Sequence, residues 1–502
     1  MEAEKKGTAV LVAFYNVKAL GVRYLETALR KAGYQVRTIF FKQFNSANPA
    51  PATETELKLL CDRIREVSPV FVGLSVMSSM YLDSINAAVS TLLKEKIGPI
   101  VCGGAYTSMF PNYFLERGVP FVCRMDGEIP MVQLADALST GGDWRGIPSL
   151  GYMENGRCVL NPIGGMLADI NEYGLPTVSC PDGWFIEKDA AVPGDPQRTT
   201  LSYEVIASRG CPFTCSYCCC VNLHRMYPEG VKGVRTRSVQ SVIAELREAV
   251  KACKSIAFIH FYDEIFPNLP GWVDEFVAEY RKYINLPFSI WSHPKMIDGE
   301  VIKKLVKAGL VEVIMGIQTG SDHIRRDVFH RYETNEDVLK AVKLIHESGV
   351  FWATYDFMLQ HPFEEIEDIR QSYELVKQME GRFELQLHGL NFLPGTDIVP
   401  MAIEAGYYTE EEMQQIMYAS MSDQFSVFWK QKNSLESQMW YDLIYLWQFP
   451  SFRKKCLKYE KDPLACRQQI EKDYQRARRM AKLRYYYKKS MVVLKRIIRH
   501  PF

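Results

Sequence analysis

Twice along this 502-residue chain, short apolar runs alternate with longer amphipathic stretches. In the front part, TAVLVAFY, YQVRTIFF, PVFVGLSV, PIVCGG and PFVCRMDGE are spaced by GVRYLETALRKAG, ETELKLLCDRIREV and YLDSINAAVSTLLKEK. Strand-then-helix repetition predicts a parallel sheet with helices packed on its faces. Over residues 7–140 the pattern is doubly wound α/β, a Rossmann-like arrangement whose ligands sit beyond the carboxyl ends of the strands. Three loops fall there: Ser75–Met80, Gly103–Tyr106 and Asp126–Glu128. Their glycines are either ordinary turn residues or places where backbone comes close to a large ligand.

The second series begins with LSYEVIASRG, VQSVIAELREAVKAC and SIAFIHFYDEI. It continues through PFSIWSH, VEVIMGIQTG and WATYDFMLQ to FELQLHGLNFLPGT, with a helical pattern in each gap. Active residues are expected at the carboxyl ends of these strands. The division that follows is an α/β domain over 1–140, a linker over 141–200, a second α/β unit over 201–400 and a helical, basic region over 401–502. The linker reading rests on a stretch rich in Gly, Pro, Asp and Asn.

Between the two series lies RGCPFTCSYCCC, residues 209–220, with five of the chain's thirteen cysteines. Adjacent cysteines meet disulfide geometry poorly, and zinc sites draw on separated pairs, of which no second C-x2-C follows. Cys211, Cys215 and Cys218, in C-x3-C-x2-C spacing, suit three corners of a cubane iron–sulfur cluster, leaving one iron open. Buried structural thiols are the plainer alternative.

These residues resemble the signature of the radical S-adenosylmethionine enzymes, C-x3-C-x2-C with an aromatic, here Tyr217, before the last cysteine. The resemblance implies a partial (βα)6 barrel in which Cys211, Cys215 and Cys218 hold a 4Fe–4S cluster and S-adenosylmethionine chelates the open iron. It also implies that Asp263 or Glu264, at the end of the second strand, receives the amino group of that cofactor; a general acid/base pair is the alternative. GIQTGS (316–321) is similar to a family segment near the ribose, with Gln318 and Thr319 as departures and Gln318 and Ser321 as the candidate contacts. HPFEE and FLPGT echo two further turns of the family.

VGLSVMSS, VCGGAYTS and RMDGEIP in turn resemble the loops of the cobalamin-binding domain that precedes many of these enzymes. The implied contacts are Ser75, Gly103, Gly104, Ala105, Gly127 and Glu128. Residues 1–223 contain no histidine, so a cobalamin bound there is expected base-off and His-off. By resemblance the favoured reaction is methylation of an unactivated carbon of a small molecule, lipid or peptide. Alternatives are cyclisation, rearrangement, aminocarboxypropyl transfer, or a radical enzyme with a vestigial or sensory cobalamin domain. An external electron donor such as flavodoxin or ferredoxin is implied.

Composition narrows the setting. Hydrophobic residues at 47% and charged residues at 24% are those of a globular enzyme, and thirteen cysteines favour a reducing cytoplasm. MEAEKKGTAVLVAFY has too short an apolar run for a secretory signal and reads as a strand. The net charge of +1 is uneven: residues 451–502 carry 17 Lys/Arg against 4 Asp/Glu, or +13, leaving −12 elsewhere. That basic helical segment is expected to be a solvated face packed by its Tyr and Leu residues, or a contact for an acidic substrate, a peptide or a membrane surface. No nucleic-acid-binding module accompanies it, so nucleic acid is not expected. The aromatics of QFSVFWK and QMWYDLIYLWQF are expected to cover the barrel's mouth. Cys219, Cys220, Cys456 and Cys466 receive no firm role.

Overall fold

A computed structural model describes residues 6–45, 48–231, 233–427 and 434–499. The first apolar runs form β1 (Thr8–Phe14), β2 (Gln35–Phe41), β3 (Val72–Ser75), β4 (Ile100–Gly103) and β5 (Phe121–Cys123), all mutually parallel. Alternate residues of β1 face opposite ways, as strand geometry requires. Val10, Val12 and Phe14 pack under the helices Glu54–Arg65 and Leu82–Lys94, while Ala9, Leu11 and Ala13 pack under Leu20–Lys31 and Glu128–Thr140.

The stretch expected to be a linker instead enlarges this sheet. It supplies β6 (Leu150–Glu154), β7 (Arg157–Leu160), β8 (Asp182–Glu187) and β9 (Ala190–Pro193), giving the order β7-β6-β5-β4-β3-β1-β2-β8-β9. Its turn-rich composition serves two tight hairpins. Asn155-Gly156 and Lys188-Asp189 all adopt positive φ, the requirement of a two-residue hairpin loop. Asp195 then locks the segment down, accepting from the Arg23 guanidinium at 2.6 and 2.9 Å with both side chains fully buried.

The second sheet is an open, parallel barrel wall. Its strands are β10 (Ser202–Val205), β13 (Phe258–Phe261), β14 (Phe288–Ser292), β15 (Leu310–Gln318), β16 (Trp352–Leu359) and β17 (Glu384–Gly389), in that order. A ribbon of β11 (Ser208–Arg209) and β12 (Arg235–Thr236) stands beside it. Ser238, Asp298 and Thr334 cap the N-termini of three covering helices with their side chains. One face of each strand joins the helices in a single core, for example Tyr355, Phe357 and Leu359 of β16. Each such side chain, fully buried, contributes ~1.5–3 kcal/mol. The alternate residues face the lumen.

Helix Leu435–Trp447 packs on Ile366–Gln378 outside the barrel, with Tyr373 against Trp440 and Trp447. It does not cover the mouth, because its apolar face matches an exposed barrel helix rather than the polar rim. Of QFSVFWK, residues 428–430 lie outside the described residues. The last helix, Arg467–Arg499, buries Ile470 and Ala477, while Tyr485, Tyr486 and Tyr487 are about half exposed or more. Its inner face is held by Arg484, which donates to the Phe383 carbonyl, and by Lys488 on Glu312, not by those tyrosines. Cys456 is buried in the core that this helix shares with the barrel, with Cys466 packed at its edge. No described helix is long and apolar enough to cross a membrane.

Candidate functional site

The cysteine loop follows β11 at the carboxyl end of the barrel. Gly210 at φ 99° lets the chain turn inward; a Cβ there would lie 1.9 Å from the Gly233 carbonyl oxygen. The Cys211 N–H donates to His224 Nε2 at 3.3 Å. Ser216 ties the loop to the segment after β15, its N–H on the Phe329 carbonyl at 3.1 Å and its hydroxyl on the Val328 carbonyl at 2.5 Å. Tyr217 packs edge-on against Phe329 and accepts from Arg331 at 3.2 Å. Arg331 is held in turn by Glu333 at 2.7 Å.

Burial pushes the Cys211 thiol up to about 12 and the Cys215 thiol in the same direction. A hydrogen bond with Cys219 pushes Cys218 up to about 11. Bound iron would reverse this, since coordinated thiols are deprotonated outright. Among the described residues no three ligand side chains converge tightly enough for a single metal ion; the ligands of a four-iron cubane stand wider apart, around a cluster rather than a point.

Two cavities meet here. The one next to the cluster loop, about 220 Å³, is lined by Gly210, Cys220, His224, Tyr262 and Glu264. Glu264 makes no ion pair among the described residues; its carboxylate accepts from the backbone N–H groups of Gly210 and Glu264, with Cys220 Sγ 4.0 Å away. Burial raises its carboxyl, so the position gains from a cationic guest. Asp263, its neighbour, turns the other way. It is 2% exposed and accepts from the Ala207 N–H at 2.9 Å and the Ser208 hydroxyl at 2.6 Å. Of the two sequence candidates only Glu264 reaches the cavity.

Gln318 sits at φ 71° on a register shift between β15 and β16, its amide folded over Gly316. Ser321 is fully buried, donating to Asp368 at 2.6 Å, so its hydroxyl is committed to a helix start.

The second cavity, about 230 Å³, opens at the carboxyl edge of the front sheet between helices Leu20–Lys31 and Glu128–Thr140. Its walls are apolar, with Leu11, Leu25, Val101 and Met131, and Ser75, Gly103, Gly104, Gly127 and Glu128 complete it. At Gly21 an added Cβ would meet nothing within 4 Å. Such a slot fits the flat heteroaromatic tail that a base-off corrin presents. Ala105 opens the helix Ala105–Met109 and is outside the lining.

Both cavities share Asp126, Ile206 and Arg209. Arg209 donates to Glu128 at 2.6 Å and lies 3.3 Å from Asp126, which also pairs with Arg235 at 2.7 Å. Burial would raise the Asp126 carboxyl, but the two arginines outweigh it and hold it below the usual range. Arg209 and Arg235 were not among the sequence candidates, since a pairing between residues 81 apart leaves no local pattern.

Comparison with known proteins agrees with this division. Residues 7–135 match the B12 binding domain and residues 205–376 the Radical SAM superfamily. An uncharacterized methyltransferase of Pyrococcus horikoshii is 24% identical over 323 residues, 63% of this chain and 66% of that protein. An anaerobic magnesium-protoporphyrin IX monomethyl ester cyclase of Cereibacter sphaeroides is 24% identical over 66% of this chain and 52% of its own length. The chain thus spans between half and two-thirds of these two relatives. In fold it is similar to the radical S-adenosylmethionine methyltransferase TsrM from Kitasatospora setae, solved with cobalamin and a [4Fe-4S] cluster. That likeness has a TM-score of 0.62 at 18% identity over 80% of this chain and 79% of that one. With a 4Fe–4S cluster, S-adenosylmethionine and cobalamin as its cofactors, the chain belongs to the radical S-adenosylmethionine enzymes that carry a front cobalamin-binding domain.

Proposed function

We propose that this enzyme transfers a methyl group to an unactivated carbon. The observation that carries the reading is the shared wall of Asp126, Ile206 and Arg209, which sets the front slot and the cluster-side cavity against one another. The bound cofactors supply radical hydrogen abstraction from one side and a transferable methyl group from the other. The chain's residues position them. Cys211, Cys215 and Cys218 hold the cluster. Glu264 takes the ammonium of S-adenosylmethionine, Gln318 stands near its ribose, and Tyr217, fixed by Arg331, stiffens the cluster loop. Ser75, Gly103, Gly104 and Gly127 admit the corrin tail.

With no histidine before His224, the front domain would offer a bound cobalamin no imidazole of its own. The Arg209–Asp126–Glu128 knot draws the two sheets together and keeps water from the space between them. The reading includes an external electron donor such as flavodoxin or ferredoxin, a small-molecule or peptide substrate, and a cytoplasmic setting suited to reduced thiols.

An assay with S-adenosylmethionine deuterated in its methyl group tests it. The expected product gains the labelled methyl. A product of cyclised mass without label would favour the second reading, to which the cyclase relative points.

A further inference from the structure

The barrel lumen holds a carboxylate whose buried oxygen has no hydrogen-bond partner among the described residues. Asp356 lies on β16 between Tyr355 and Phe357, both of which face the outer core, so its side chain enters the lumen. It is 8% exposed, and its Oδ1 is buried with no hydrogen-bond partner. Its neighbours in register are Gly316 on β15 and Gln386 on β17. On one side the Gln318 amide lies over Gly316, and on the other His388 of β17 stands with Nε2 3.9 Å from Oδ1. The charged group acting on Asp356 is Glu312, a second carboxylate already ion-paired with Lys488.

Two cations are engaged elsewhere. Arg331 is held by Glu333 and the Gly316 carbonyl, and Lys18 by the Ser202 carbonyl and Thr200. Half-buried Trp291, Ile314 and Met358 supply apolar wall around this point.

A buried, unpaired carboxylate is costly unless a partner arrives. We infer that Asp356, backed by His388, anchors a protonated amine of the substrate. The inference rests on the methylation reading above and adds that the substrate reaches into the barrel lumen. Burial raises the Asp356 carboxyl to about 7, and an ammonium partner would draw it back to the charged form. The substrate class is then a compound with a basic nitrogen a short apolar reach from the methylated carbon. An anionic isostere would be repelled, and a neutral amide would offer Asp356 a hydrogen bond without the charge pairing and bind more weakly.

The test uses the full chain loaded with cluster, cobalamin and S-adenosylmethionine, and three probes of one shape: 2-phenylethylammonium, 3-phenylpropionamide and 3-phenylpropionate. Ligand-observed NMR titrations are expected to show the ammonium bound most tightly. In Asp356→Asn that preference should fall roughly ten- to hundred-fold, with partial recovery in Asp356→Glu. His388→Gln, on the solvent-exposed edge strand, should weaken the ammonium a few-fold. Iron and corrin content check that each variant remains assembled. Equal binding of the three probes, no binding of the ammonium, or an unchanged ammonium affinity in assembled Asp356→Asn would overturn the inference. Charge selectivity through Asp356 in a chain that transfers no labelled methyl would break the methylation reading and leave this one standing.

Discussion

The two sheets of this molecule come from the same strand-and-helix rhythm and line their ligand spaces differently. The central strands of the front sheet are covered by helices on both faces, so nearly every side chain of β1, β3, β4 and β5 is core and the space left for a ligand is a slot at the carboxyl edge, walled in part by Leu11, Val101 and glycines. The barrel sheet is covered on one face alone. Its inner face keeps Glu204, His260, Glu312, Asp356 and His388, none of which an outer core would tolerate unpaired. The front slot is therefore mainly apolar, while the barrel's inner face is rich in titratable groups. Substitutions that remove space should harm the first, and substitutions that remove charge the second.

The largest effect is expected at the cluster. Cys211→Ala, Cys215→Ala or Cys218→Ala each deletes a ligand and should abolish cluster assembly and S-adenosylmethionine cleavage. Cys219→Ala and Cys220→Ala leave the three ligands in place and should retain iron. Near-normal iron and 5′-deoxyadenosine from Cys215→Ala would sink the assignment. Corrin content in these variants should hold, because the front sheet has its own core.

Gly104 is the matching position in front. It sits at φ 103°, and a Cβ would come within 2.5 Å of the Val76 carbonyl oxygen. The close approach is to protein backbone, so Gly104→Leu acts by forcing the β4 loop away from β3 rather than by touching the corrin directly. A left-handed φ and a backbone clash together cost about 3 kcal/mol or more. Corrin absorption should disappear while iron content stays. Loss of both together would mean that the two units do not assemble independently.

Next comes Glu264→Gln, which removes the carboxylate facing the cluster-side cavity. Losing a charge partner for a buried ammonium costs about 2–5 kcal/mol of binding. Calorimetry with S-adenosylmethionine should show that loss with iron unchanged; equal affinity would place the amino-group partner elsewhere.

Much of this was legible in the chain. Strand and helix alternation located five of the six parallel strands of the front sheet, missing β8, and all six of the barrel, because periodicity reports which faces are buried. Cysteine spacing located the cluster loop for a chemical reason of its own. Other features turned on information that spacing does not carry. Asn155-Gly156 and the residues around it read as linker because turn composition is the same in a hairpin and in a tether. Ser321 looked available because a motif position does not show which way a hydroxyl points; Asp368, 47 residues later, takes it. Asp356 had a local signal, a lone charge inside the apolar run ATYDFML, whose meaning needed Gly316 and His388 from neighbouring strands.

The smallest effect separates Asp263 from its neighbour. In the fold Asp263 bridges β11 and the end of β13 through Ala207 and Ser208, and burial first of all raises its carboxyl to about 7 against the opposing pull of those hydrogen bonds. A carboxyl whose folded value lies above its unfolded value of 3.8 favours the folded state below that value. The contribution fades as pH rises and is lost above about 7. Asp263→Asn keeps an acceptor oxygen for both donors and has no charge to desolvate. Denaturant titrations should therefore show the variant within about 1–2 kcal/mol of the wild type near pH 4. Relative to the wild type it should gain stability toward pH 7, by an amount on the order of a few kcal/mol. S-adenosylmethionine affinity should barely move. A loss of affinity matching that of Glu264→Gln, without the change in pH profile, would show that the cofactor is held by Asp263, one residue earlier than the geometry places it.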